Sequence, residues 1–333
     1  MQKRPLRFLL ACTAVFILAG IEQAAAAWEP TKAVEIIVPF VPGGASDQMA
    51  RTMQGIIEKY KFVKTPIVVT NKPAASGGEA MLDIQASAGD PHKLLTTSSG
   101  IYMTPLSTKL PVNWKDFTPV AMVAQDEFVL WVNANSPWKT TKDFVAAAKA
   151  AATPMRFGGA GAKREDELLV FASGQAGGFK SAYIPYGGGA EASTQLAGNH
   201  IEANTNNPSE EIANWRAGLS RPLCVYSSKR MGYTDKVTAT QSWSDIPTCP
   251  TEGLNATYQM LRGLFMPGKV TADQQAFYVD LLKKVTDTPE WKDYVARSAL
   301  LPDFRSGKDF VDFLTTDEKK HIDLMNAAGM IAK

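Results

Sequence analysis

Histidine and cysteine are scarce in this chain, three of each in 333 residues. His92, His200 and His321 are scattered and show no metal-ligand spacing, so no metal is expected. There is no G-x-S-x-G elbow and no P-loop, which removes the common hydrolase and NTPase readings. No apolar run reaches the roughly 20 residues that cross a bilayer. Internal repeats, coiled-coil heptads and low-complexity tracts are also missing. Neither sign of charge dominates, with 35 basic and 33 acidic residues. Nothing in that balance points to nucleic acid or an anionic membrane surface.

What is present begins with the N-terminus. Lys3, Arg4 and Arg7 precede an apolar run from Phe8 to Gly20, and Ala24 to Ala27 supply small residues for a cleavage site. That is the pattern of a secretory signal peptide over residues 1–26, cleaved near residue 26 or 27, which places the chain in the periplasm. Leu9-Leu10-Ala11-Cys12 loosely resembles a lipoprotein box, but Cys12 sits too near the start of the apolar run. Removal of the leader leaves 32 residues of each sign. Only Cys224 and Cys249 remain, in an oxidising compartment where they are either bridged or two buried thiols. The mature length exceeds a usual single core, so two lobes are expected.

Strands and helices alternate along the mature chain. The run 34–38 reads as a strand ending at Pro39, and Ala50, Met53, Ile57 and Tyr60 recur at helical spacing. Strands at 67–70 and 93–98 and a helix at 79–88 complete a β-α-β-α-β order, which argues for parallel pairing with flanking helices. The apolar runs 119–132 and 255–266 are long enough to cross between lobes. They divide the chain into residues 27–128 with 256–333 as one lobe and 129–255 as the other, with a ligand cleft between them. Helices are expected at 140–151, 165–173, 271–284 and 308–328.

Three glycine-rich loops stand between a strand and a helix: 39–47, 158–162 and 186–190. Such loops lie at the carboxyl ends of strands in an open α/β sheet, where ligands bind. Glycine lets the backbone approach a ligand, and the following helix points unpaired N–H groups and a partial positive charge at the same place. An anion is the natural occupant. Taken singly each loop is only a tight turn; three in one chain favour a binding site.

Several segments resemble the Bug family, the TctC-type periplasmic receptors of tripartite tricarboxylate transporters. They are Trp28-Glu29-Pro30, Ile36 through Ser46-Asp47 to Ala50-Arg51, Asn71-Lys72-Pro73, Ser76-Gly77-Gly78, Ile184 through Gly189, and Ile246-Pro247-Thr248. The resemblance implies an α/β, type II periplasmic-binding-protein (Venus flytrap) fold, with a mainly parallel sheet in each lobe. By position, Phe40, Val41, Gly43, Gly44 and Asp47 would form one jaw and Tyr186, Gly187, Gly188, Gly189 and Ala190 the other. Ser98 is a further candidate contact. In place of the Ser or Thr and His often found in the middle loop, this chain has Gly161 through Asp166. Lys163 or Arg164 could meet a distal carboxylate there, although a solvated helix start is the plainer reading. Asn206 lies in an amide-rich stretch suited to a polar ligand.

The implied role is capture of a small organic carboxylate, a di- or tricarboxylate or an aromatic acid, for the membrane subunits of a transporter. No cofactor, no enzyme activity and a monomer are expected. A sensing receptor for a two-component system is the alternative. A nucleotide-binding enzyme is disfavoured because the G-x-G-x-x-A match at 187–192 follows a strand containing Pro185.

Overall fold

The computed structural model describes residues 28–333, so the leader and Cys12 lie outside the described residues. The first strand, β1 (Val34–Val38), is apolar except for Glu35 and almost wholly buried, as suits a strand inside a sheet. Its chain turns through Gly43, at a φ of 87°, into α1 (Ala45–Tyr60). Ala50, Met53 and Ile57 face the core as their spacing predicts, whereas Tyr60 is exposed and stacks on Phe62. Next come β2 (Ile67–Asn71), α2 (Gly78–Ala86), β3 (Lys93–Thr97), α3 (Gly100–Thr108) and the long β4 (Thr118–Glu127).

A break at Phe128 separates β4 from β5 (Val129–Asn133), which opens a second sheet. There follow α4 (Thr141–Ala150), β6 (Met155–Ala160), α5 (Glu165–Gly177), β7 (Ser181–Tyr186), α6 (Gly189–Ala197), β8 (Ala203–Asn204), α7 (Pro208–Arg216) and β9 (Ser220–Val225). The chain returns to the first sheet in β10 (Gln259–Met266) and ends with α8 (Ala272–Asp287), α9 (Pro289–Arg297), β11 (Leu301–Ser306) and α10 (Gly307–Ala327). Among the described residues, no helix is long and apolar enough to cross a membrane.

The strand orders are β11-β4-β10-β3-β1-β2 and β7-β6-β8-β5-β9. Parallel pairs form where the βαβ order predicts them, β2-β1-β3 and β7-β6-β8. The sheets are more mixed than a mainly parallel reading expects. Strands β10 and β11 run antiparallel to their neighbours, as does β5 beside β8 and β9. For β5 and β10 the reason is the crossover itself: a strand arriving from the other sheet enters from the opposite end and pairs antiparallel, while β11 follows β10 within the same sheet.

The two crossings lie side by side. Tyr226 N–H donates to Phe128 O and Tyr258 N–H to Tyr226 O, both at 2.8 Å, and the Phe128 and Tyr258 rings meet edge to face. Cys224, at the end of β9, is bonded to Cys249, with Cα atoms 4.9 Å apart and both residues fully buried. The bridge closes the excursion that runs out from β9 between them. On the chain-entropy account a loop of this length contributes about 3 kcal/mol. The double variant C224A/C249A is therefore expected to lose about that much in chemical denaturation; an unchanged midpoint would contradict it.

Beside the crossing, Glu127 is 5% exposed and accepts from Gln259 Nε2 at 2.9 Å, while its other oxygen has no partner among the described residues. Burial, with Asp126 adding repulsion, raises its pKa from 4.5 to about 7. Because the folded value is the higher, the stabilisation it carries is complete below about pH 4.5 and is lost as pH rises through about 7. The melting temperature of E127Q should thus gain on the parent between pH 5 and pH 8. A difference constant over that range would refute the assignment.

Candidate functional site

The helices α1, α5, α6 and α7 begin at loops on the carboxyl ends of β1, β6, β7 and β8, and these loops enclose a cavity between the sheets. Phe40, Val41, Gly44, Ala45, Ser46, Phe128, Met260 and Arg262 line it from one side; Ala160, Glu165, Asp166, Gly188, Asn207 and Glu210 line it from the other. Its volume is about 30 Å³, room for about two water molecules. A larger solute can enter only if the walls part.

The first jaw is held from within. Gly43 N–H donates to Asp47 at 2.9 Å, and Asp47 also accepts from Arg51 and Asn71. Burial pushes this carboxyl up, but the bonds from Arg51, Gly43 and Asn71 outweigh it and hold the pKa below the usual value. Asp47 therefore caps its own loop. Asn71 also donates to Phe40 O at 2.9 Å and fixes the turn that carries Phe40 and Val41. Phe40, Val41 and Gly44 reach the cavity; Gly43 and Asp47 brace them.

The second jaw faces the first directly. A Cβ at Gly188 would crowd Val41 at 3.1 Å, and one at Gly187 would touch Val41 at 3.7 Å and press on Glu191 at 3.2 Å, so larger residues would narrow the gap there. Gly187 N–H is taken by Glu191 and Gly189 O by Asn206, at 2.9 and 2.7 Å. Gly188 and Gly189 are buried at the start of α6, and among the described residues no acceptor takes their N–H groups. Tyr186 and Ala190 flank this opening without lining the cavity. Asn206 is fully buried and serves as a brace for the loop.

The middle loop separates two neighbours. Lys163 is exposed, with a φ of 55°, and does not line the cavity. A solvated start fits Lys163 and fails for Arg164, which is 2% exposed. From the second sheet's side, Arg164 donates to Ser76 O and Ser98 Oγ at 2.7 and 2.9 Å and lies over the Phe40 ring. It also pairs with Glu165 at 3.1 Å, and Glu165 accepts from Gly100 N–H at 3.0 Å. A Cβ at Gly100 would fall 2.1 Å from the guanidinium, so any larger residue there would displace Arg164 from this seat. Ser98 thus receives Arg164 across the seam.

Sequence reasoning missed Asp166, Glu210 and Arg262 as wall residues. Arg262 is buried; it donates to Asp126 and to Ser46 Oγ at 2.8 Å, and to Asn207 at 3.3 Å. Glu210, in the first turn of α7, accepts from Ala45 N–H at 3.3 Å. Burial raises its pKa, with Asp126 adding to the rise and Arg262 opposing it. Asp166 is pushed well above the carboxylate range by burial, then by Glu210 and Glu165. Acidic residues in a helix's first turn are commonplace, which is why neither carried a signal. Among the described residues, no cluster of histidine, cysteine or acidic groups is arranged to hold a metal.

The chain has recognisable relatives. It is 25% identical over 330 residues to a UPF0065 protein encoded in the gbd 5′ region of Cupriavidus necator, covering 97% of this chain and 95% of that one. It is 31% identical to BugT of Bordetella pertussis over 233 residues, 67% and 69% of the two chains. Among solved structures, MatC from Rhodopseudomonas palustris with bound malate matches with a TM-score of 0.76 and 18% identity, covering 89% of this chain and 99% of that one. A second R. palustris protein, solved with adipate, matches with a TM-score of 0.82 and 20% identity over 91% and 99%. The family model described as "Tripartite tricarboxylate transporter family receptor", TctC, matches residues 49–330. The chain belongs to the TctC family of solute-binding receptors.

Proposed function

We propose that this protein is a periplasmic receptor that captures a small organic carboxylate in the inter-sheet cleft and delivers it to the membrane subunits of a tripartite transporter. The observation that carries the reading is the pair of buried Gly188 and Gly189 N–H groups at the start of α6, opposite the start of α1. Two such N–H groups and the positive end of a nine-residue helix suit a carboxylate oxygen. The malate and adipate held by two structural neighbours are of that class. The site is read as one of capture without chemistry, by a monomer.

Capture requires motion, because the cavity is smaller than the solute. We assign residues 27–128 with 256–333 to one lobe and 129–255 to the other, hinged where Phe128, Tyr226 and Tyr258 pair. Arg164 and Glu165 then act as a latch, since all their contacts to Ser76, Ser98 and Gly100 cross that division. Hinge closure of this kind is a standard use of a two-lobed fold.

Two measurements follow. Gly188 has an extended backbone that valine adopts readily, and G188V places methyl groups against Val41. It should weaken solute binding at least a hundredfold by calorimetry with an unchanged melting temperature; normal binding would move the site elsewhere. The double variant R164M/E165Q removes the latch without stranding a charge. Its solute-free radius of gyration in solution scattering should exceed the parent's, and an identical profile would contradict the latch.

A further inference from the structure

The cleft of a receptor for anions would be expected to show surplus positive charge; this one does not. Arg164 is matched by Glu165 and Arg262 by Asp126. Two wall carboxylates are left over, Asp166 and Glu210, and among the described residues no cation lies within salt-bridge distance of either. Asp166 is 5% exposed and lines the cavity; the nearest side-chain donor is the Thr205 hydroxyl, 3.5 Å from Oδ1. Both carboxylates are seated on glycine. A Cβ on Gly159 would fall 2.4 Å from Asp166, and one on Gly189 would fall 2.0 Å from Glu210. The backbone is thus cut away to admit these two groups.

Asp166 is buried and Glu210 partly so, and placing two acids without a counter-ion in one small cavity is costly unless a proton or a cation neutralises them. The raised pKa of each expresses the same cost in the free protein. Glu210 also occupies the Ala45 N–H, so the start of α1 already has its anion. What remains for a solute is Gly188 in the wall, with the Gly189 amide behind it at the start of α6, and the acidic pair, with Phe128 and Met260 supplying apolar surface.

We propose that the cleft selects a zwitterionic solute: a carboxylate on the Gly188 and Gly189 amides and a cationic nitrogen, primary or methylated ammonium, between Asp166 and Glu210. The proposal rests on the receptor reading above and adds the charge of the solute's second group. An ammonium group supplies the counter-charge that both acids lack, and the Phe128 ring in the same wall suits a methylated one.

Calorimetry on the mature protein with matched pairs tests it. The pairs are butyrate with 4-aminobutyrate, propionate with 3-aminopropionate, and 3,3-dimethylbutyrate with its trimethylammonium isostere, trimethylglycine. In at least one pair the nitrogen member should bind at least tenfold tighter. D166N and E210Q, each with a melting temperature no lower than the parent's, should each cut that advantage at least tenfold. Equal or weaker binding of every nitrogen member overturns the proposal. So does tighter binding of the plain acid by E210Q, which would make Glu210 a stand-in that the solute's own carboxylate displaces. Where no pair gives heat, mass spectrometry of the solute retained by protein prepared from the periplasm decides. A nitrogen base is expected; a nitrogen-free acid, or no retained solute, overturns the proposal. The receptor reading has a separate test in G188V, so the two can fail independently.

Discussion

Charge buried between the two sheets is the constraint around which this molecule is organised. A guanidinium cannot be left dry without partners, so Arg164 and Arg262 each dictate what surrounds them. Arg262, on β10, draws in Asp126 from β4, Ser46 from the first turn of α1 and Asn207 from the start of α7. Arg164 draws in Glu165, Ser76 and Ser98. Between them the two arginines tie together three of the four loops that form the cleft, those before α1, α5 and α7, and fasten the segments at Ser76 and Ser98 to them. Replacing either partner alone would leave a buried charge uncompensated, which costs far more than a surface ion pair is worth.

The glycines solve the complementary problem of space. Gly100 clears room for the Arg164 guanidinium, Gly159 for Asp166 and Gly189 for Glu210, while Gly188 keeps a gap against Val41. The glycine-rich loops therefore do two jobs. They present amides, as helix starts in α/β folds generally do, and they make seats for side chains arriving from elsewhere in the sequence.

Much of the fold was legible because it is written locally. The β-branched run at 34–38, the stripe through Ala50, Met53 and Ile57, and the crossing runs at 119–132 and 255–266 each announce an element by period or length. Helices α3, α7 and α9 and strand β11 were not announced. Pro105 sits inside α3, α7 follows Asn206-Asn207-Pro208 and reads as polar loop, and β11 carries Pro302 and charged residues at a sheet edge. The two jaws were legible as loops, since glycine spacing is a local signal. The acidic wall was not, because Asp166 and Glu210 look like ordinary first-turn acids until the fold brings them to one cavity. The Lys163–Arg164 pair makes the same point: adjacent cations, one in water and one sealed in the seam, separated by a single turn of backbone.

Solute capture is assigned to the space between the start of α6 and the start of α1, in the cavity walled by Val41, Gly188, Asp166 and Glu210. A crystal structure of the protein with the solute it retains from the periplasm tests this most directly. The expected result is the solute's carboxylate within hydrogen-bond distance of the Gly188 and Gly189 N–H groups. A solute bound instead in the outer hollow beside Glu127, Tyr233 and Leu300, with the Gly188 loop empty, would contradict it.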